Sequence, residues 1–322
     1  MIATLLSLGW VAADNGVRWT GTSARSPNGP VRPRPVGERV RVATWNVAST
    51  RDVDGLAAEI AARPAIGSAD VLLLQEVERY PREDLPRRLA QRLDVHYVYA
   101  PARAAGAGTH GLAILSRNPI TEVETIPLER FELKYRSRAR IAQAATVDLS
   151  GRSLHLYNVH LDTRLRPSAR RRQLVPIVLR ALSDSSLSII GGDFNTINAL
   201  PMFLPLVPIP FPGAGQAPML DTFMVEKGFS APFTSVGGTG PLGMRLDALF
   251  VRGMTVAAWG REKSSAISDH VPLWMDVYLG DDLEAPDASR PRNGRTEGCA
   301  VESRQRLGCG ARGSSHEDLE DR

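Results

Sequence analysis

The sequence predicts an α/β fold of packed β-sheets covered by helices, on three observations. Short apolar runs rich in Val, Ile and Leu recur through the middle of the chain, each of a length suited to a strand. Only a few stretches with helical spacing interrupt them. The runs also follow one another through turns, without the regular βαβ spacing of a doubly wound parallel sheet.

In chain order, the folded body is expected to begin at Arg39, where Arg39 to Val47 alternates and then becomes continuously apolar. Helical spacing follows over 54–63, and Val71 to Leu74 reads as a short buried strand ending in Gln75-Glu76-Val77. A helix is expected over 85–93, then strands over 111–116, 141–149 and 154–161. A further helix over 167–182 opens on a proline, which suits a first helical turn, and exposes Arg170, Arg171 and Arg172. Ile189-Ile190 ends a buried strand at a glycine pair, read as a sharp turn into Asp193-Phe194-Asn195. In extended backbone Asp193 and Asn195 would share a side. Ala199 to Met219 reads as a short helix and a loop, and 246–251 and 271–278 as the last strands.

Of 322 residues, 43% are hydrophobic and 23% charged, which describes a globular chain rather than a disordered one. The net charge of +4 permits a phosphate-rich substrate without requiring one. Nearly all the positive charge is arginine, with Lys134, Lys227 and Lys263 the only lysines. Three regions are expected: an apolar N-terminal segment with a flexible linker over 1–38, the folded domain over 39–279, and a disordered polar tail over 280–322. Val11-Ala12-Ala13 resembles a signal-peptidase site, but the apolar run is short and lacks a basic start. Export and a cytoplasmic location both stay open. Cys299 and Cys309 lie in the tail, so the folded body offers no thiol and no structural zinc site. No apolar run reaches the length of a membrane span.

Polar, chemically able side chains recur at what read as the C-terminal ends of separate apolar strands. They are Asn46, Glu76, His160, Asp193 with Asn195, Asp247, and Asp269 with His270. All are types that bind metals or move protons, and they form one site only if the sheets bring those ends together. Arg136, Arg138 and Arg140 alternate and so share a strand face, read as solvated. His96 and His155 are expected to be structural, and His316 falls in the tail.

Seven motifs then carry a resemblance. They are Thr44-Trp45-Asn46-Val47, Leu74-Gln75-Glu76-Val77, His110 to Ser116, Asn158-Val159-His160-Leu161, Gly192-Asp193-Phe194-Asn195, Leu246-Asp247 and Ser268-Asp269-His270-Val271-Pro272. Their kind and order resemble the endonuclease/exonuclease/phosphatase superfamily, also called deoxyribonuclease-I-like, over roughly Arg39 to Leu279. The resemblance implies a four-layer α/β/β/α sandwich, two packed mixed sheets flanked by helices. It also implies hydrolysis of a phosphate ester with a divalent cation, Mg2+ or Mn2+ in its place. Glu76 would be the main metal ligand with Asn46 and Asp269 nearby, and Asp193 would orient or deprotonate the attacking water. Asn195 would bond a phosphoryl oxygen, His160 and His270 would flank the scissile phosphate, and Asp247 would fix the tautomer of His270.

One departure concerns His110. It stands where the nucleases of this superfamily carry a glutamate that pairs with the first histidine. His110 is read either as touching phosphate or as packing, and Arg164 as a further substrate contact. The arginine that those nucleases carry after Gln-Glu-Val is replaced by Glu78, which weighs against duplex DNA. The partner is therefore a phosphoester, either nucleic acid or a phospholipid or inositol-phosphate headgroup, cut by a monomer without an obligate protein partner. The non-enzymatic alternative is a scaffold that has lost the chemistry.

Overall fold

The computed structural model describes residues 39–131, 138–184, 187–196 and 215–279. The expected N-terminal segment and linker, Lys134, Arg136, the apolar run Met202 to Phe211, and the tail with Cys299, Cys309 and His316 lie outside the described residues.

Two mixed sheets form the body. The seven-stranded sheet runs β11 (Met254–Arg261), β12 (Leu273–Leu279), β1 (Val40–Asn46), β2 (Val71–Tyr80), β5 (Gly108–Ser116), β4 (His96–Ala105), with β3 (Glu83–Asp84) on β2. The five-stranded sheet runs β10 (Asp247–Arg252), β9 (Ser188–Asp193), β8 (Arg152–His160), β7 (Ile141–Leu149), β6 (Ile120–Pro127). Each sheet has one parallel pair, β1 with β2 and β8 with β9.

Period-2 alternation sorts the side chains into layers. Val42, Leu73, Ile114, Leu156, Ile189, Leu249 and Met275 pack between the sheets. The other face of the larger sheet, with Ala43, Trp45, Leu72 and Leu74, packs under α1 (Val53–Ala61), α2 (Pro64–Gly67) and α3 (Leu85–Leu93). The outer face of the smaller sheet, with Tyr157, Val159, Ile190 and Phe250, packs under α4 (Pro167–Asp184) and α5 (Gln216–Glu226). This is the four-layer sandwich. Local chemistry sets the helix starts: Asp52 caps α1 by accepting from the Gly55 amide, and Asp84 caps α3 through Arg87.

The helix over 85–93 and the strand over 141–149 form with the expected ends, the other predicted elements among the described residues with shifted ones, and several more appear. The strands β4, β6 and β11 had no continuous apolar run to mark them. β11 alternates between half-buried and exposed along its whole length, as an edge strand does. Of the stretch from Ala199 to Met219, residues 215–219 are described and lead into α5.

The glycine pair does not make a turn. Gly191 and Gly192 lie inside β9, paired to both neighbouring strands. A Cβ on Gly191 would stand 2.9 Å from Leu73 of the opposite sheet and 2.4 Å from Leu249. On Gly192, at φ +138, it would stand 2.1 Å from the Val159 carbonyl oxygen. Close approach, not reversal, requires these glycines. Gly192→Ala is expected to lower stability in urea unfolding by about 3 kcal/mol, because neither φ nor the facing backbone can adjust. Gly191→Ala should cost less, since leucine methyls can move.

Candidate active site

The same alternation that builds the core between the sheets delivers the polar groups. Along β1 the inward series Val42, Thr44 ends at Asn46. Along β8 it runs Leu156, Asn158 to His160, and along β9 Ile189, Gly191 to Asp193. β10 is antiparallel to β9, so Asp247 begins its strand yet pairs directly with Asp193. Asp247 therefore reaches the site from a strand start, not from the strand end its sequence position suggested. Asp269 and His270 sit in the loop before β12.

Glu76 arrives differently. It lies within β2, at a bulge where pairing with β5 shifts between Leu74 and Val77, with φ 55. Two buried amides hold this irregular backbone. Asn158 Nδ2 donates to the Leu74 and Ala113 carbonyls at 2.9 and 3.0 Å, and Gln75 Nε2 donates to Asn158 Oδ1 at 2.7 Å. The bulge turns Glu76 outward to the mouth, leaving its side chain 30% exposed.

Asp193 Oδ2 is the convergence point. Asn46 Nδ2 donates to it at 2.9 Å from the opposite sheet. His160 Nε2 stands 3.5 Å away and His270 Nε2 3.9 Å away. Oδ1 accepts from the Asn195 amide at 2.9 Å. Asn195 does not continue an extended backbone: its φ is 51, and its Nδ2 donates to the Leu161 carbonyl. Asn195 thus closes a turn around Asp193 rather than standing beside it. Burial, then the nearby Asp247, raise the Asp193 pKa to about 7, against the pull of His270 and the two hydrogen bonds.

The two histidines are held in opposite states. His270 Nδ1 lies 2.8 Å from Asp247 Oδ2. Burial opposes its charge, but Asp247, then Asp193 and Asp269, outweigh burial and raise its pKa to about 10. His160 Nδ1 lies 2.9 Å from Arg140 Nη1. A guanidinium only donates, so Nδ1 accepts and the ring carries its proton on Nε2. Burial and Arg140 together push its pKa well below the ordinary imidazole value. His160 is a neutral donor and His270 a cationic one.

Arg140 is buried rather than solvated, and its Nη1 faces His160. It precedes β7, which starts at Ile141, so the strand alternation that would expose it does not apply. Arg138 is exposed as expected, and its amide donates to Asp162 Oδ2. His110 is buried with Nε2 3.8 Å from Glu76 Oε2, and its ring stands 6.3 Å from that of His160. Arg164 is exposed, its amide bonded to Asp162 Oδ1. Asp269 is exposed, and its charge acts on His270.

Sequence reasoning missed the residues that set the His270 loop. Trp45 Nε1 donates to the His270 carbonyl at 3.0 Å, and Ser268 Oγ donates to the Asn46 carbonyl at 2.6 Å. Buried Thr239 Oγ1 accepts from the Leu246 and Asp247 amides, while its carbonyl accepts from Val271. No local pattern marks a lone threonine as the link between the start of β10 and the His270 loop.

Two donor sets could hold a divalent cation. Asp193, Asp247 and His270 offer atoms within 4.8 Å of one another, but the His270 ring is committed to Asp247 and carries a positive charge of its own. Glu76 fits a hard cation better. Burial opposes its charge, yet His110, then His160 and Arg140, hold its carboxyl below the usual range. Its neighbours are loose, Ser49 Oγ at 3.3 Å and the two histidines at 3.8 Å. Among the described residues Asn46 Oδ1 accepts only the Ala48 amide and so retains a lone pair.

Long-range 1H–15N NMR should find His160 as the neutral Nε2–H tautomer at neutral pH, and His270 doubly protonated there. Arg140→Met should raise the His160 pKa. A His160 that titrates normally in the unaltered protein would refute the arrangement.

The chain has relatives in sequence and in fold. The chain is 26% identical over 235 residues to Uncharacterized protein YbhP of Escherichia coli (strain K12), covering 66% of this chain and 84% of that one. The crystal structure of an endonuclease/exonuclease/phosphatase from Beutenbergia cavernae DSM 12333 superposes with a TM-score of 0.59 at 22% identity, covering 75% of this chain and 72% of that one. D. rerio TDP2 complexed with single strand DNA product superposes with a TM-score of 0.51 at 18% identity, covering 74% and 99%. The sequence profile of the Endonuclease/Exonuclease/phosphatase family matches residues 43–270, the span that carries every polar group just described, and the chain belongs to that family.

Proposed function

We propose that the protein is a divalent-metal-dependent hydrolase of phosphate diesters, acting by in-line attack of water. The observation that carries this is the placement of His160, backed by Arg140, and His270, backed by Asp247, on either side of Asp193 and beside Glu76. A binding scaffold would have no use for a buried carboxylate tuned to lose its proton near neutrality.

Glu76 with Asn46 would hold Mg2+ or Mn2+, which supplies Lewis-acid polarisation of the phosphoryl group. Asp193, aligned by Asn46 and Asn195, accepts the proton of the attacking water. His270 Nε2 meets the charge that builds on the phosphoryl oxygens, and Asp247 keeps it protonated. His160 adds a neutral hydrogen bond from Nε2, so the pocket does not place two full imidazolium charges against each other. The likeness to a TDP2 that holds a single strand DNA product favours a nucleic-acid diester over an inositol-phosphate headgroup.

Asp193→Asn and His270→Ala should each cut hydrolysis of bis-p-nitrophenyl phosphate by about 100-fold or more with unchanged circular dichroism. Retained turnover in either variant would remove the mechanism. EDTA should abolish activity, and Glu76→Gln should weaken Mg2+ binding in calorimetry.

The pH profile has a definite shape. Activity needs Asp193 deprotonated, so it rises through about pH 7, and it needs His270 protonated, so it falls through about pH 10. Asp247→Asn removes the charge that raises His270, so the alkaline limb should move to lower pH. An alkaline limb that stays in place would contradict the role given to Asp247.

A further inference from the structure

On the outer side of the smaller sheet, α4 and α5 enclose a cavity of about 490 Å3. The floor is apolar, formed by Leu174, Phe194, Leu220 and Phe223. Its size falls in the range of small-molecule sites. Phe194 follows Asp193 in the chain but points to the opposite face, so the cavity lies across the sheet from the catalytic groups.

The polar part of the lining is one-sided. Arg170, Arg171 and Arg172 contribute to it, with no acidic residue among the described lining residues. Arg172 pairs outward with Glu129, and the Arg171 guanidinium lies 4.9 Å over the Phe223 ring. Arg170 is only 5% exposed; its Nη2 donates to Gln216 Oε1, and its Nη1 has no hydrogen-bond partner among the described residues. A buried guanidinium with an idle donor is costly unless something accepts from it. Its pKa, lowered to about 10 by burial, still leaves it charged at neutral pH.

We propose that this cavity binds a single acidic amphiphile, a molecule carrying a phosphate or carboxylate at one end of an apolar chain. The acid accepts from Arg170 Nη1, and the chain lies along Leu174, Phe194, Leu220 and Phe223. Apolar walls alone would take any oily molecule; the arginine selects an anion and fixes which end enters. The exposed Met219 stands in the same lining, so part of the apolar wall borders solvent.

Octylphosphonate tests this, because its carbon–phosphorus bond resists phosphoester hydrolysis. Calorimetry of the full chain in EDTA should show one molecule bound per chain. Methylphosphonate and 1-octanol, each carrying half of the chemistry, should bind at least about tenfold more weakly. Arg170→Met should lose about tenfold in affinity, and Leu220→Trp, which narrows the apolar wall while keeping Arg170, should lose as much. If Arg170→Met does not fold, Leu220→Trp decides the question. His270→Ala should bind octylphosphonate unchanged.

Absence of binding to the unaltered protein, or full binding by Leu220→Trp, would overturn the assignment. Loss of binding in His270→Ala with retention in Arg170→Met would place the anion in the catalytic centre. That result refutes this site and leaves the proposed hydrolysis standing. Inactivity toward phosphodiesters with octylphosphonate binding intact would do the reverse.

Discussion

A buried carboxylate at the junction of the two sheets constrains the rest of this structure. Asp193 is 1% exposed, and a charge so placed is tolerated only with donors close at hand. One donor, Asn46, comes from the larger sheet, and another, the Asn195 amide, from the turn after β9. The sheets must therefore approach closely at this end, and Gly191 is the residue that allows it. With any side chain there, Leu73 of the opposite sheet would be displaced. Packing and chemistry place the same demand on one position.

Two histidines of identical intrinsic chemistry are driven apart by what stands behind them. An acceptor behind His270 makes it a cation; a donor behind His160 keeps it neutral. The nucleases that this chain resembles place an acid behind the first histidine, and here an arginine does the opposite. The two rings are accordingly unlike: one is paired with a carboxylate and the other with a guanidinium.

The bulge in β2 shows how an irregular strand is kept. Breaking the ladder at Glu76 leaves the Leu74 and Ala113 carbonyls facing the core between the sheets. Unsatisfied, they would cost about 1–3 kcal/mol each. Asn158 answers both, and Gln75 in turn bonds Asn158 and Thr44. Motifs that read as metal ligand and first histidine in the sequence thus carry a second message. Gln75 and Asn158 are the supports that let their neighbours reach the mouth.

Apolar runs are a local property, so the sequence by itself determined packed sheets, most strands, and the polar side chains that border them, Asn46, Glu76, His160, Asp193, Asp247 and His270. Motif order added the resemblance, and with it the four-layer arrangement and a role for each residue. Edge strands such as β11 escaped because half-exposed strands carry no continuous apolar run. What only the tertiary structure decided depends on register between distant segments. Arg140 meets His160 because β7 lies beside β8, and Thr239 ties Asp247 to the His270 loop from a segment with no pattern of its own. Asn195 leaves the extended path through a turn that closes on Asp193. Two glycines that looked like a reversal are instead the place where backbones touch. Each of these is fixed by what lies across a gap between elements, and the identity of that neighbour is not written in either segment alone.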